Sequence, residues 1–154
     1  MFRKMRKSDR ELTRLEALSI LERCPWGVLS TVGADGWPYG VPVNYAVMDG
    51  AIYIHCAKEG HKLDNIRYCD KVCFTAVTRA DILSAEFSTD FESAVAYGRA
   101  SETDADEKTL ALLAIIAKYS PEHRSAGEAY VRRAAEEAHM LRIDVEHITG
   151  KARK

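Results

Sequence analysis

Three cations, Lys58, His61 and Lys62, fall within the five residues that close the stretch Ala51–Lys62. Before them, Ile52, Ile54 and Cys56 alternate with Tyr53, His55 and Ala57, the period of two that marks a strand with distinct faces. Asp49-Gly50 supplies a turn at its start, and Gly60 sits in the polar loop at its end. Lys62 stands at or near the start of the following helix, where free backbone N–H groups and the helix dipole both favour an anion. A strand that delivers cations to a helix N-terminus suits a phosphate, and we read that phosphate as part of a flavin.

Flavin mononucleotide (FMN) asks three things of a protein. Its phosphate needs cations and N–H donors, which His61 and Lys62 can give. Its ring needs an apolar wall with amide groups along the polar edge, and reduction builds negative charge that wants a donor nearby. The run Val41, Pro42, Val43, Asn44 can supply wall and edge contacts if its neighbouring strand is Ala51–Ala57. His55 is the candidate for proton supply, because an imidazole of ordinary pKa near 6.5 suits transfer around neutral pH. The common alternatives lack their motifs: the chain has no G-x-G-x-x-G, no G-x-x-x-x-G-K-[ST], no G-x-S-x-G and no H-E-x-x-H. Zinc would draw on His55, Cys56, His61, Cys69 and Cys73. His55 and Cys56 should point to opposite strand faces, however, so no metal site is expected. Cys24, beside Pro25 and Trp26, reads as a buried, inert thiol.

The 154 residues suit a single domain, residues 1–154, with a real core. With 22 Lys+Arg against 23 Asp+Glu, the net charge of −1 argues against a nucleic-acid partner. No stretch reaches the roughly 20 apolar residues of a membrane span, and the charged N-terminus lacks the apolar core of a signal peptide. The four cysteines form no C-x-x-C pair, which fits reduced thiols. The expected location is cytoplasmic, with no membrane association.

The elements that must position these residues follow in chain order. Thr13 and Glu16 form a capping box, ahead of a helix with Leu15, Leu18 and Leu21 on its stripe and a stop before Pro25. Trp26–Val32 reads as a strand, Ala34–Gly36 as its hairpin turn, and Trp37–Val47 as a second strand. Pro38 and Pro42 remove ladder donors, so that strand should be bulged or at an edge. A meander into Ala51–Ala57 follows, then a helix over Lys62–Tyr68 with Leu63 and Ile66 facing in. Strands are expected over Val72–Thr78, Ser93–Ala100 and Leu141–Val145. Arg79–Glu92 reads equally as continued strand or as a loop. Asp104 or Asp106 caps a helix that runs to Tyr119 and breaks at Pro121, and Glu128–Ala138 is helical. The fold expectation is mainly β, a six-stranded antiparallel split barrel with flanking α-helices. Side chains fill so small a barrel, leaving a cofactor outside it.

The ordered series P-x-N-Y at Pro42–Tyr45, Asp49-Gly50, and H-x-A-x-x-G-x-K at His55–Lys62 resembles a known family. So do Phe91–Ala100 and Ile148–Lys151. The pattern is similar to the FMN-binding split-barrel superfamily of pyridoxamine 5'-phosphate oxidase, nearest its nitroimidazole-resistance (Nim-like) branch, and spans Thr13 to Lys151. The resemblance implies a homodimer with FMN at the interface. It places Val41, Pro42, Val43 and Asn44 along the ring, and Ile54 and His55 at the ring or ribityl chain. His61 and Lys62 fall at the phosphate, and Ser93 reaches in from the partner subunit. His61 stands where the oxidases carry arginine, and their substrate residues near the C-terminus are not recognisable, which points away from vitamin B6 oxidation. The implied activity is reduction of a small molecule such as a 5-nitroimidazole, with electrons from a nicotinamide or other donor. The competing expectation is a non-catalytic flavin or haem binder, or a haem-handling protein, of the same fold.

Overall fold

The computed structural model describes residues 2–153. Its elements run β1 (Glu11–Leu12), α1 (Arg14–Arg23), β2 (Gly27–Val32), β3 (Pro38–Val43), β4 (Ala46–Met48) and β5 (Ala51–Cys56). Then come α2 (His61–Tyr68), β6 (Lys71–Leu83), β7 (Ser88–Glu102), α3 (Ala105–Tyr119), α4 (Arg124–Ala134) and β8 (His139–Arg153). All pairings are antiparallel, in the order β3-β2-β6-β7-β8-β5-β4, with the short β1 added to β8. The two ends of that path, β3 and β4, are joined by only Asn44 and Tyr45. The sheet therefore has to curl until its ends meet, which makes it the expected split barrel. Eight strands stand where six are expected, because the predicted Trp37–Val47 strand divides in two and β1 is added.

The barrel is filled by its inward residues: Leu29, Tyr45, Ile52, Ile54, Phe74, Leu141 and Ile143 are all at most 1% exposed. α1 closes one flank. Its capping box forms as predicted, with Thr13 N–H donating to Glu16 Oε2 (2.8 Å) and Glu16 N–H to Thr13 Oγ1 (3.3 Å). The buried face is Ala17, Ile20 and Leu21, while Leu15 is 79% exposed. The predicted stripe is thus corrected: positions 17, 20, 21 and 24 share the helix face that meets the sheet, and Leu15 lies off it.

A second apolar cluster lies outside the barrel. There Ala51, Tyr53 and Met140 on the outer face of β5 and β8 pack against Ala111, Leu112 and Val131 of α3 and α4. Asp104 is the N-cap of α3, accepting from Glu107 N–H at 2.8 Å. α4 occupies Arg124–Ala134, earlier in the chain than the predicted 128–138. Tyr53 O–H donates to Glu107 at 2.6 Å, and Arg142 pairs with the same carboxylate, tying α3 to the sheet. The ambiguous segment 79–92 continues both strands as a two-stranded ribbon, with a register shift between Val77 and Arg79. No helix among the described residues is long and apolar enough to cross a membrane.

Candidate functional site

The place where β3 leaves β5 decides the site. β5 is paired to β8 over Ile52–Cys56 but to β4 only over Ala51–Tyr53. On the β4 side, Ile54, His55 and Cys56 have no strand partner among the described residues. β3, at the sheet's edge, pairs only with β2. If the register that sets Ala46 opposite Tyr53 ran on, Asn44 would face His55 and Val43 would face Cys56. The chain departs instead, because Tyr45 N–H is taken by the Tyr119 hydroxyl at 2.9 Å and that hydroxyl reaches the Pro25 carbonyl at 2.8 Å. Two open strand edges consequently border one split, each with backbone amides free of a ladder.

Most of the predicted residues surround this split. Pro38 and Pro42 lie on the edge strand, as their missing donors require. Val41 and Val43 pack partly against the barrel core, and Pro42 and Asn44 are exposed. Asn44 Nδ2 reaches the Pro25 carbonyl at 3.5 Å. The expectation that Val41–Asn44 pairs beside Ala51–Ala57 is corrected: its ladder partner is β2, and β5 lies across the split. Ile54 turns inward. Its side chain is 0% exposed inside the barrel, so only its backbone can meet a ligand. His55 points the other way, toward α3 and α4, and Cys56 returns to the core. His55 and Cys56 thus lie on opposite faces, and no group of three or more His, Cys, Asp or Glu is placed for a metal among the described residues.

At the far end of the split, α2 begins at Gly60, whose φ of 136° few other residues adopt. The His61 ring packs on Tyr39 of β3 with centroids 4.0 Å apart, bridging the two edges. Lys62, one residue further, is half-buried and makes no ion pair among the described residues. The His55 pKa is lowered, first by burial and then by the Lys62 charge. The imidazole is thus neutral near neutral pH and close enough to feel that ammonium. These residues fit a flavin: a free cation at a helix start for the phosphate, and open amide edges for the ring's polar rim.

Ser93 is not brought to this group. It faces outward between Val77 and Lys151, whereas Tyr53 lies opposite Arg142. Arg142 and Lys151 are nine positions apart on β8, roughly 30 Å along the strand at about 3.3 Å per residue. A groove of about 560 Å³ also lies elsewhere, on the outer face of β2, β6 and β7. Its Arg99 is already held by Asp70 (2.9 Å) and Glu146 (2.8 Å), so it is no free anchor for an anion. Sequence reasoning missed Tyr39 and Tyr119. Neither carries a local signal, since each acts on a residue far along the chain.

A family model described as pyridoxamine 5'-phosphate oxidase matches residues 13–152. The chain belongs to the pyridoxamine 5'-phosphate oxidase family. Solved structures share this family member's fold. One is described as a candidate 5-nitroimidazole antibiotic resistance protein from Bacteroides thetaiotaomicron, with TM-score 0.75 and 24% identity, covering 92% of this chain and 85% of that one. A conserved hypothetical protein from Mycobacterium tuberculosis gives TM-score 0.83 and 18% identity over 97% of this chain and 90% of the other. A FAD- and haem-binding protein from Mycobacterium smegmatis gives TM-score 0.80 and 17% identity over 94% and 74%. No curated protein matches the chain.

Proposed function

We propose that this protein binds FMN in the split between β3 and β5 and reduces small molecules such as 5-nitroimidazoles, taking electrons from a nicotinamide or other donor. The observation that carries the reading is the pair of unpaired strand edges beside the unpaired Lys62. Bound there, FMN would supply the electron-transfer chemistry. Lys62 and the first N–H groups of α2 hold the phosphate, and His61 stays packed on Tyr39 to shape that end. Backbone groups of Val41–Asn44 and Ile54–His55 meet the ring's polar rim. His55, neutral in the free protein, holds a proton position beside the ring and is the proposed catalytic residue. The working unit is a homodimer, because Ser93 joins such a site only from a second copy. Membership of the family and the fold shared with a candidate nitroimidazole-resistance protein support this reading.

A second reading is a flavin or haem binder without turnover. His55 favours it too, since a neutral imidazole is the form that ligates iron. A visible spectrum of the purified protein, with the released cofactor identified by mass, separates the two cofactors. FMN near one per chain, reduced by added nicotinamide nucleotide and reoxidised by a nitro compound, is the expected result. A Soret band, or FMN that the acceptor never reoxidises, would overturn it in favour of the second reading.

A further inference from the structure

Beyond His55, on the side away from the barrel core, lies a cavity of about 220 Å³ walled by Leu112, Ile115, Ile116, Val131 and Ala134. His55 is part of its lining, and Tyr130 and Glu137 also border it. Glu137 is exposed and paired with Lys58 at 3.6 Å, so its charge is partnered outside. The space is set by residue choice. α3 and α4 are drawn together where Gly127 lies against Ile116, with no room for a Cβ. By contrast, the small side chains of Ala134 and Ala138, with His55 among the lining, leave space between the helices and β5.

We infer that this cavity is a subsite for a compact, uncharged, single-ring aromatic molecule seated against the His55 imidazole. A closed, dry apolar cavity of ~150 Å³ takes benzene; this one is more open, with Tyr130 53% exposed at its border, and has room for a ring with one or two small substituents. Three fused flavin rings or a porphyrin exceed it. Ordered water needs two to four polar partners, and the polar lining is limited to His55, Tyr130 and Glu137, the last turned to Lys58, while the other walls are aliphatic. An anion would meet the Glu137 carboxylate, and a cation would have to compete with Lys58 for it, so an uncharged ligand suits the lining. The inference deepens the proposed function and rests on it for the molecule's use, as electron acceptor, but not for its binding.

The test is calorimetric titration of flavin-free protein with phenol at neutral pH. Saturable binding at one site per chain is expected, and Ala134→Phe should weaken it by about tenfold or more while flavin uptake stays unchanged. Ile115→Ala should admit 1-naphthol, which the natural protein refuses; this second variant decides the matter if Ala134→Phe does not fold. Phenol heats that never saturate, or an Ala134→Phe protein that binds as tightly as the natural one, overturn the subsite. Phenol binding by a protein that takes up no flavin would leave the subsite standing and remove the proposed function. Flavin uptake without phenol binding would do the reverse.

Discussion

Lys62 and His55 divide the electrostatic work of the split. A charge-assisted hydrogen bond contributes roughly 1.5–3 kcal/mol, so Lys62→Met, which keeps the apolar stem, should weaken FMN binding by about tenfold to a hundredfold. Titration of flavin fluorescence measures it, and an unchanged affinity would place the phosphate elsewhere. His55 gives a prediction with a definite sign. Its folded pKa lies below its unfolded value, so the fold favours the neutral ring. Its contribution is complete above about pH 6.5, the unfolded value, and is lost as pH falls from there through the folded pKa. His55→Gln should flatten that segment of the stability–pH curve. A phosphate dianion on Lys62 should also offset the cation that helps depress His55, raising its pKa. An NMR titration with and without FMN reads the shift, and a pKa that stays fixed or falls would separate the two residues.

At the scale of elements, the same fold shows what a sequence can and cannot announce. The capping box, the edge strand carrying Pro38 and Pro42, and the α2 start beside Gly60 were legible, because each is set by residues within a few positions of one another. The break at Asn44–Tyr45 was not. It is held by Tyr119, 74 positions away, and no local pattern encodes such a bond. Segment 79–92 was equally opaque, since its outer part carries no clean alternation: Ile82 is 82% and Phe87 97% exposed. The turn at Phe87 even takes a positive φ of 50° on a bulky residue. The inward turn of Ile54, by contrast, was legible, since alternation sends it the same way as Ile52. One element-level prediction follows from the register shift between Tyr97 and Gly98. A Cβ on Gly98 would strike the Asp144 carbonyl, which is backbone and cannot swing aside. Gly98→Ala should cost about 1–3 kcal/mol, read as a lowered denaturation midpoint, whereas Gly40→Ala, facing only side chains at 3.5 Å and beyond, should cost far less. Equal losses would mean that β7 and β8 can separate at the bulge without penalty.

The whole molecule carries an unfinished surface. Outside the barrel, β6 and β7 run on as a ribbon over Asp81–Asp90 with no further strand partner among the described residues, tied to β8 by Arg153 ion pairs to Asp90 and Glu86, and a two-stranded ribbon is marginal in water. Near its base, Val77 is 41% exposed directly across from Ser93. The proposed homodimer would account for both features, because a second copy could brace the ribbon and carry Ser93 into a split that its own chain cannot reach. Val77→Asp tests this without disturbing the core, since the side chain already points to solvent. Light scattering after gel filtration should find the natural protein dimeric and the variant monomeric, with its denaturation midpoint little changed. Flavin content should fall with the dimer. A monomeric variant that keeps one FMN per chain would show the site complete within one protomer, and Ser93 would lose its role. A variant that remains dimeric would put the subunit contact on another face, and Ser93 with it away from the flavin.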